Sequence, residues 1–163
     1  MRRLGSLTLV LLALIGCSPA QEDSNPSNTD NGETMSNEMK AGQDFLAANA
    51  NKEGVIVTAS GLQYRVMKSG QGATPGPTDV VKAHYHGTFI DGKVFDSSVE
   101  RGEPLELPVN GVISGWTEAL QMMQEGDQWQ LFVPSDLAYG ARGVGPIPGN
   151  TALIFEVELI EVK

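Results

Sequence analysis

A chain of 163 residues, 40% apolar and 19% charged, has room for one domain and is short for two. Its formal net charge of −9, with no lysine- or arginine-rich stretch, excludes a phosphate-backbone reader such as a nucleic-acid-binding protein. The single cysteine, Cys17, excludes a disulfide framework, and 19 glycines and 9 prolines, clustered rather than spread, predict a compact fold with elaborate loops.

The first sixteen residues read as a processing segment. Arg2 and Arg3 precede an apolar run from Leu7 to Ile15, which matches the charged and hydrophobic regions of a secretory signal and is too short to cross a bilayer. The run ends in LIGC, Leu14 to Cys17, which resembles the lipobox of bacterial lipoproteins. That resemblance implies that Cys17 becomes the first residue of the mature chain and carries acyl groups. One acyl chain, at about 0.8 kcal/mol per buried methylene, holds a protein only marginally, whereas two or more anchor it stably. A plain signal peptide that leaves a free thiol is the alternative. Ser18, rather than Asp, after the cysteine is compatible with outer-membrane sorting, so the expected location is the bacterial envelope, with the chain lipid-anchored and facing the periplasm or the surface. Losing residues 1–16 removes two arginines and no acid; nine cations against twenty acids leave −11, so attachment to an anionic leaflet falls to lipid rather than charge.

After Cys17, the stretch SPAQEDSNPSNTDNGETM carries almost no large apolar side chain, so residues 17–35 are predicted to form a disordered tether. A flexible coil of this length spans about 24 Å r.m.s. and at most about 60 Å. Ser36 is placed to cap a short helix within residues 36–54, running through NEMKAGQDFLAANA, with Met39, Gln43, Leu46 and Ala50 on one side and Phe45 nearby. It lacks a sustained apolar stripe and reads as a docking or spacer helix rather than a dimerisation coil.

From residue 61 the apolar period changes to two. Leu62, Tyr64 and Val66 share one face, as do Val81, Ala83, Tyr85 and Phe89. Leu105, Leu107 and Val109 alternate next, then Trp129, Leu131 and Val133, and finally Leu153, Phe155, Val157 and Leu159. One apolar and one largely polar face per strand predicts an antiparallel sheet that is wet on one side. The dry face needs a cover, and GWTEALQMM supplies Trp116, Ala119, Leu120 and Met123 at i, i+3, i+4 and i+7. The pattern therefore predicts an α+β fold in which one short helix packs into one curved sheet.

Candidate site residues emerge on this frame. Tyr85 and Phe155 face inward on their strands, Phe95 begins a turn holding Asp96, Trp116 opens the covering helix, and Tyr139 sits in the irregular loop DLAYGARGVGPIPG. Five of the ten aromatics could thus converge on one end of the helix, together with Val112, Ile113 and Ile147. Taken singly, each is ordinary core. A Trp in the first turn of a helix, beside a loop carrying its own Tyr, suits the floor of an open pocket better than a closed interior. Asp96 has no base, nucleophile or metal partner nearby, and alone it reads as a turn-forming acid.

Other chemistries fit poorly. His84 and His86 share the strand face opposite Tyr85, but no cysteine or third histidine is available, so they read as a solvated pair and no metal is expected. GARGVGPIPG lacks the Lys-Ser/Thr ending and helix onset of a phosphate loop. Ser97 and Ser98 lack the context of a nucleophile elbow.

The segments VKAHYHGTFIDGKVFDSS, GVISGWTEAL, EGDQWQLFVPSDLAYGARG and IPGNTALIFEVELIEV resemble the FKBP-type peptidyl-prolyl isomerases, most closely the bacterial macrophage-infectivity-potentiator group, over residues 55–163. The resemblance implies an FKBP-like sheet around one helix and a prolyl isomerase that needs no cofactor. It implies catalytic roles for Asp96, Tyr139, Trp116, Phe95 and Ile113, and substrate contacts from Tyr85, Val112, Leu105, Leu107, Ile147 and Phe155. Arg101, in VERGEP, matches the basic residue that helps hold the pocket acid. Leu105 and Leu107 stand where small cytosolic members often carry aromatics, a departure that bears on substrate preference and on the affinity of macrolide inhibitors. The expected partners are proline-containing unfolded or partly folded polypeptides. Longer relatives carry a helical dimerisation domain ahead of the catalytic one; with only a tether and one short helix here, a monomer is expected. The competing reading is a non-catalytic, holdase-like binding module using the same cleft.

Overall fold

Residues 30–163 are described by a computed structural model of the chain. They begin with helix α1, Asp30–Asn49. A two-residue strand β1, Ile56–Val57, leads into β2, Gln63–Lys68, and then β3, Val80–Phe89. Strand β4, Val94–Ser97, runs straight into the single turn of α2, Ser98–Arg101, followed by β5, Leu105–Pro108. A 3₁₀ turn at Val109–Gly111 precedes the covering helix α3, Ser114–Leu120. Strand β6, Gln128–Val133, a 3₁₀ turn at Ser135–Leu137, a long loop and β7, Leu153–Val162, complete the fold.

All strand pairs are antiparallel, in the order β1-β2-β6-β7-β3-β4, with β5 lying beside the first half of β3. Strands β3 and β7 form the centre, paired from Val81 opposite Val162 to Phe89 opposite Leu153 with one register shift between Lys82 and Ala83. The period-two reading holds on both: Val81, Ala83 and Tyr85, and Leu153, Phe155, Val157 and Leu159, are all buried. Trp116, Ala119 and Leu120 from α3, and Met123 from the turn after it, pack onto this face and are buried with them. Each such large side chain contributes about 1.5–3 kcal/mol through its removal from water. The helix sits close because its second residue is glycine: a Cβ on Gly115 would lie 2.7 Å from Val133 Cγ1.

Several local expectations change. Helix α1 begins at Asp30, so it takes in residues 30–35 of the expected tether, and Ser36 lies inside the helix rather than at its cap. The signal segment, Cys17 and the rest of the tether lie outside the described residues. The outer sheet face is not wet throughout, because α1 docks on it. Phe45 packs against Phe132 at 6.1 Å between ring centroids, and fully buried Asn49 donates from Nδ2 to Gln63 Oε1 at 3.0 Å. Gln63 Nε2 in turn donates to the Leu46 carbonyl at 2.9 Å, which also accepts from the Ala50 N–H at 3.0 Å, tying the helix end to β2. Val66, expected inward, is exposed; it is the last residue of β2 in regular register, opposite Trp129, before the bulge between Val66 and Lys68. Phe95 and Asp96 belong to a paired strand, β4, rather than to a turn.

Candidate active site

One end of α3 opens into a cleft of about 460 Å³, its mouth included, lined by ten residues from seven parts of the chain. Strand β3 supplies Tyr85 and β4 supplies Phe95 and Asp96, while β5 brings Leu105 and Leu107. Val112 and Ile113 come from the approach to α3, Trp116 from its first turn, Tyr139 from the β6–β7 loop and Phe155 from β7.

The β3–β4 register explains how Phe95 reaches this site. Asp96 stands opposite Gly87 and Val94 opposite Thr88, so Phe95 is the extra residue of a bulge. Its ring lies over Gly87, where a Cβ would come within 2.6 Å of Phe95 Cζ. Glycine at 87 is therefore a space requirement.

Trp116, 5% exposed, forms the floor. Tyr85 and Phe155 meet it edge-on, at 5.5 Å and 81° and at 5.4 Å and 83°, and Phe95 meets Phe155 at 5.5 Å and 87°. These are the favoured edge-to-face geometries of aromatic rings. The Trp116 indole N–H has no acceptor among the described residues.

Polar groups are confined to the rim. Tyr85 donates its hydroxyl proton to Asp96 Oδ2 at 2.5 Å and accepts from Arg101 Nη2 at 2.9 Å, while Arg101 Nη1 pairs with Asp96 Oδ1. The guanidinium carbon is also 5.7 Å from the Tyr85 ring centroid. Burial alone would raise the Asp96 carboxyl, but the hydrogen bonds from Tyr85 and Arg101 and the Arg101 charge outweigh it and hold Asp96 below the usual carboxylate range. Burial and the bond to Asp96 raise the Tyr85 phenol, and burial and the Asp96 charge raise that of Tyr139. The rim thus carries a fixed anion and two neutral phenols at neutral pH.

Two further donors of the cleft lining have no partner among the described residues. The Tyr139 hydroxyl is engaged by no neighbouring side chain. The Ile113 N–H has no backbone acceptor, while its carbonyl accepts from Trp116 and Thr117 at 2.9 and 3.0 Å. Ile147, expected in the pocket, does not line it; buried, it pairs with Val144 across the loop and packs into the core behind the wall. His84 and His86 lie on the opposite face of β3, their Nδ1 atoms each 3.0 Å from a serine hydroxyl, Ser98 and Ser97 respectively. Helix α2, which carries Arg101, is the part of the site that alternation could not reveal: four residues are too few to show a helical period.

The family model described as "FKBP-type peptidyl-prolyl cis-trans isomerase" matches residues 71–160, more than half of the chain. The chain belongs to the FKBP-type peptidyl-prolyl cis-trans isomerase family. A second model, for the domain amino terminal to FKBP-type isomerases, matches residues 20–66 and so includes α1. Among FKBP relatives, the 22 kDa isomerase of Escherichia coli is 58% identical over 74% of this chain and 59% of its own. FkpA of Aeromonas hydrophila is 56% identical over 77% and 47%, and the outer membrane protein MIP of Legionella longbeachae 54% over 75% and 53%. The chain thus spans about half the length of these relatives. Among solved FKBP structures, E. coli FkpA superposes with a TM-score of 0.80 at 41% identity, over 82% of this chain and 63% of that one. An isomerase from Pseudomonas syringae pv. tomato gives 0.74 at 41% identity over 79% and 96%.

Proposed function

We propose that the protein accelerates cis-trans rotation about X-Pro bonds in exported polypeptides. The observation that carries this reading is the cleft itself: a floor of Trp116 with edge-on aromatic walls, an open mouth, and the Tyr139 hydroxyl and Ile113 N–H uncommitted beside it. Rotation of a peptide bond costs about 18–20 kcal/mol because the planar amide is resonance-stabilised, and X-Pro bonds take tens to hundreds of seconds unaided. No bond breaks, so a catalyst needs only to bind the twisted amide better than either planar isomer. Twisting decouples the nitrogen lone pair from the carbonyl, leaving a less zwitterionic group that an apolar aromatic cavity favours over the ground state.

The proline ring would rest on Trp116 between Tyr85, Phe95 and Phe155. The Tyr139 hydroxyl and Ile113 N–H would donate to the carbonyls flanking the proline and fix the chain while the preceding carbonyl turns. Asp96, kept ionised by Tyr85 and Arg101, would set the field at the rim without moving a proton. Val112, Leu105 and Leu107 would contact the residue before proline. Leu105, 42% exposed at the mouth, gives a flexible aliphatic wall to substrate and to macrolide inhibitors. Cys17 would carry the lipid that holds the domain, as a monomer on its tether, at the outer membrane.

The test is cis-to-trans relaxation of a short Leu-Pro peptide with residues 36–163, beside Asp96→Leu and Tyr139→Phe. The parent should accelerate relaxation, and each folded variant should lose about tenfold in kcat/KM, roughly 1.4 kcal/mol of transition-state stabilisation. A folded parent without acceleration would leave the holdase-like module as the reading, with client capture that survives loss of Asp96.

A further inference from the structure

The Tyr85–Asp96–Arg101 triangle draws on three elements, β3, β4 and α2, of which the sheet joins only the first two. On the free edge of β3, pairing with β4 ends at His86 opposite Ser97, and pairing with β5 ends at Ala83 opposite Leu105. Between them, His84 and Tyr85 have no strand beside them on that edge. Ser98, the first residue of α2 and fully buried, fills the gap.

Its single oxygen is used to capacity. The Tyr85 N–H donates to Ser98 Oγ at 2.8 Å, and Ser98 Oγ donates to the Tyr85 carbonyl at 3.2 Å. His84 Nδ1 lies 3.0 Å away. A hydroxyl has one proton and two acceptor positions. With the proton on the Tyr85 carbonyl and one lone pair on the Tyr85 N–H, the remaining lone pair accepts from His84, which places the imidazole proton on Nδ1. One side chain thus replaces both ladder bonds that a continuing strand would make to Tyr85. The same residue opens α2, and Gly102 N–H closes that turn on the Ser98 carbonyl, with Arg101 held between them.

We infer that Ser98 is a positioning residue for the isomerase site: by splicing the start of α2 onto the backbone of Tyr85, its hydroxyl fixes the Tyr85 phenol and the Arg101 guanidinium at the spacing that clamps the Asp96 carboxylate. It touches neither the cleft nor any substrate, and the inference rests on the isomerase reading only for its effect on rate. Ser97 provides the contrast. Its hydroxyl caps α2 by accepting from the Glu100 N–H at 3.2 Å and meets His86, but it does not contact Tyr85.

The experiment compares the full chain with Ser98→Ala, Ser98→Cys and Ser97→Ala, reading Leu-Pro isomerisation, the carbon-13 titration of the Asp96 carboxyl and the nitrogen-15 tautomer signature of His84. Ser98→Ala is expected to lower kcat/KM about tenfold or more, as small displacements at a positioned site do. It should also shift the Asp96 titration upward and release His84 from the Nδ1–H form. Ser97→Ala should weaken the fold, yet keep kcat/KM within about twofold of the parent and leave the Asp96 titration in place. Should Ser98→Ala not fold, Ser98→Cys keeps the volume with a weaker partner, and the same readouts decide. A folded Ser98 variant with the parent's Asp96 titration overturns the assignment, as does an equal loss of rate in Ser97→Ala. If the parent itself is inactive, the isomerase reading fails, while the Asp96 and His84 signals still test Ser98.

Discussion

Asp96 is an acid whose partners remove it from acid-base chemistry. Tyr85 and Arg101 both donate to it, so it stays ionised at neutral pH, and the phenols of Tyr85 and Tyr139 are pushed up from their ordinary values. No group lining the cleft changes charge between pH 6 and 8, and the isomerisation rate is expected to be flat across that range; a sigmoid centred near the histidine value would sink the mechanism. Stability follows a separate sign. The Asp96 carboxyl is lowered on folding, so its contribution is present above the unfolded value, about 3.9, and is lost as pH falls through the folded one. Its side chain is 43% exposed, so solvent screens that contribution. The difference between the urea midpoints of the parent and Asp96→Asn should be full at pH 6 and should narrow as pH falls below about 3.9. A gap that widens on acidification would contradict the triangle.

At the scale of elements, legibility depended on which periodicity a segment had room to display. Ten-residue β3 and β7 show alternation outright, and α3 with the turn after it shows Trp116, Ala119, Leu120 and Met123 at helical spacing. The aromatic wall followed from those positions, and Arg101 came with the family resemblance. What alternation could not supply was a partner for the opposite face. Gln63 and Phe132 occupy polar-face positions of β2 and β6, and Phe132 beside Leu131 was the one sign that this face is covered locally. Residues 30–35 were read by composition as tether, yet the backbone continues through them as α1. The docking of α1 makes a stability prediction. Asn49→Ala leaves Gln63 Oε1 buried without its donor, at a cost of about 1–3 kcal/mol. The urea midpoint should fall accordingly, while kcat/KM of the folded protein stays at the parent's value, because α1 lies across the sheet from the cleft. An unchanged midpoint would mean that the helix does not hold this face.

For the molecule as a whole, charge and anchoring have to be considered together. The chain carries 20 acids against 11 Lys and Arg, and two of those cations, Arg2 and Arg3, lie in the segment read as a removable signal. A domain of this sign is repelled by an anionic leaflet, so a surface attraction through basic residues, which scales at about 1 kcal/mol for each Lys or Arg near the membrane, has nothing to work with. Membrane attachment through Cys17 then makes two linked predictions from one cause. Membranes from cells expressing the full chain should retain the protein through a 1 M salt wash, where the screening length falls to about 3 Å, and release it only with detergent. Cys17→Ala should abolish incorporation of a fatty-acid analogue and move the protein to the soluble fraction even at low salt. Salt-releasable protein would point to attachment through a charged partner, and label that persists in Cys17→Ala would place the lipid elsewhere. Because Cys17 lies far in sequence from every residue that lines the cleft, the Leu-Pro isomerase rate of the released and the membrane-bound protein should agree. Anchoring by this route would fix where the cleft works and leave its chemistry unchanged.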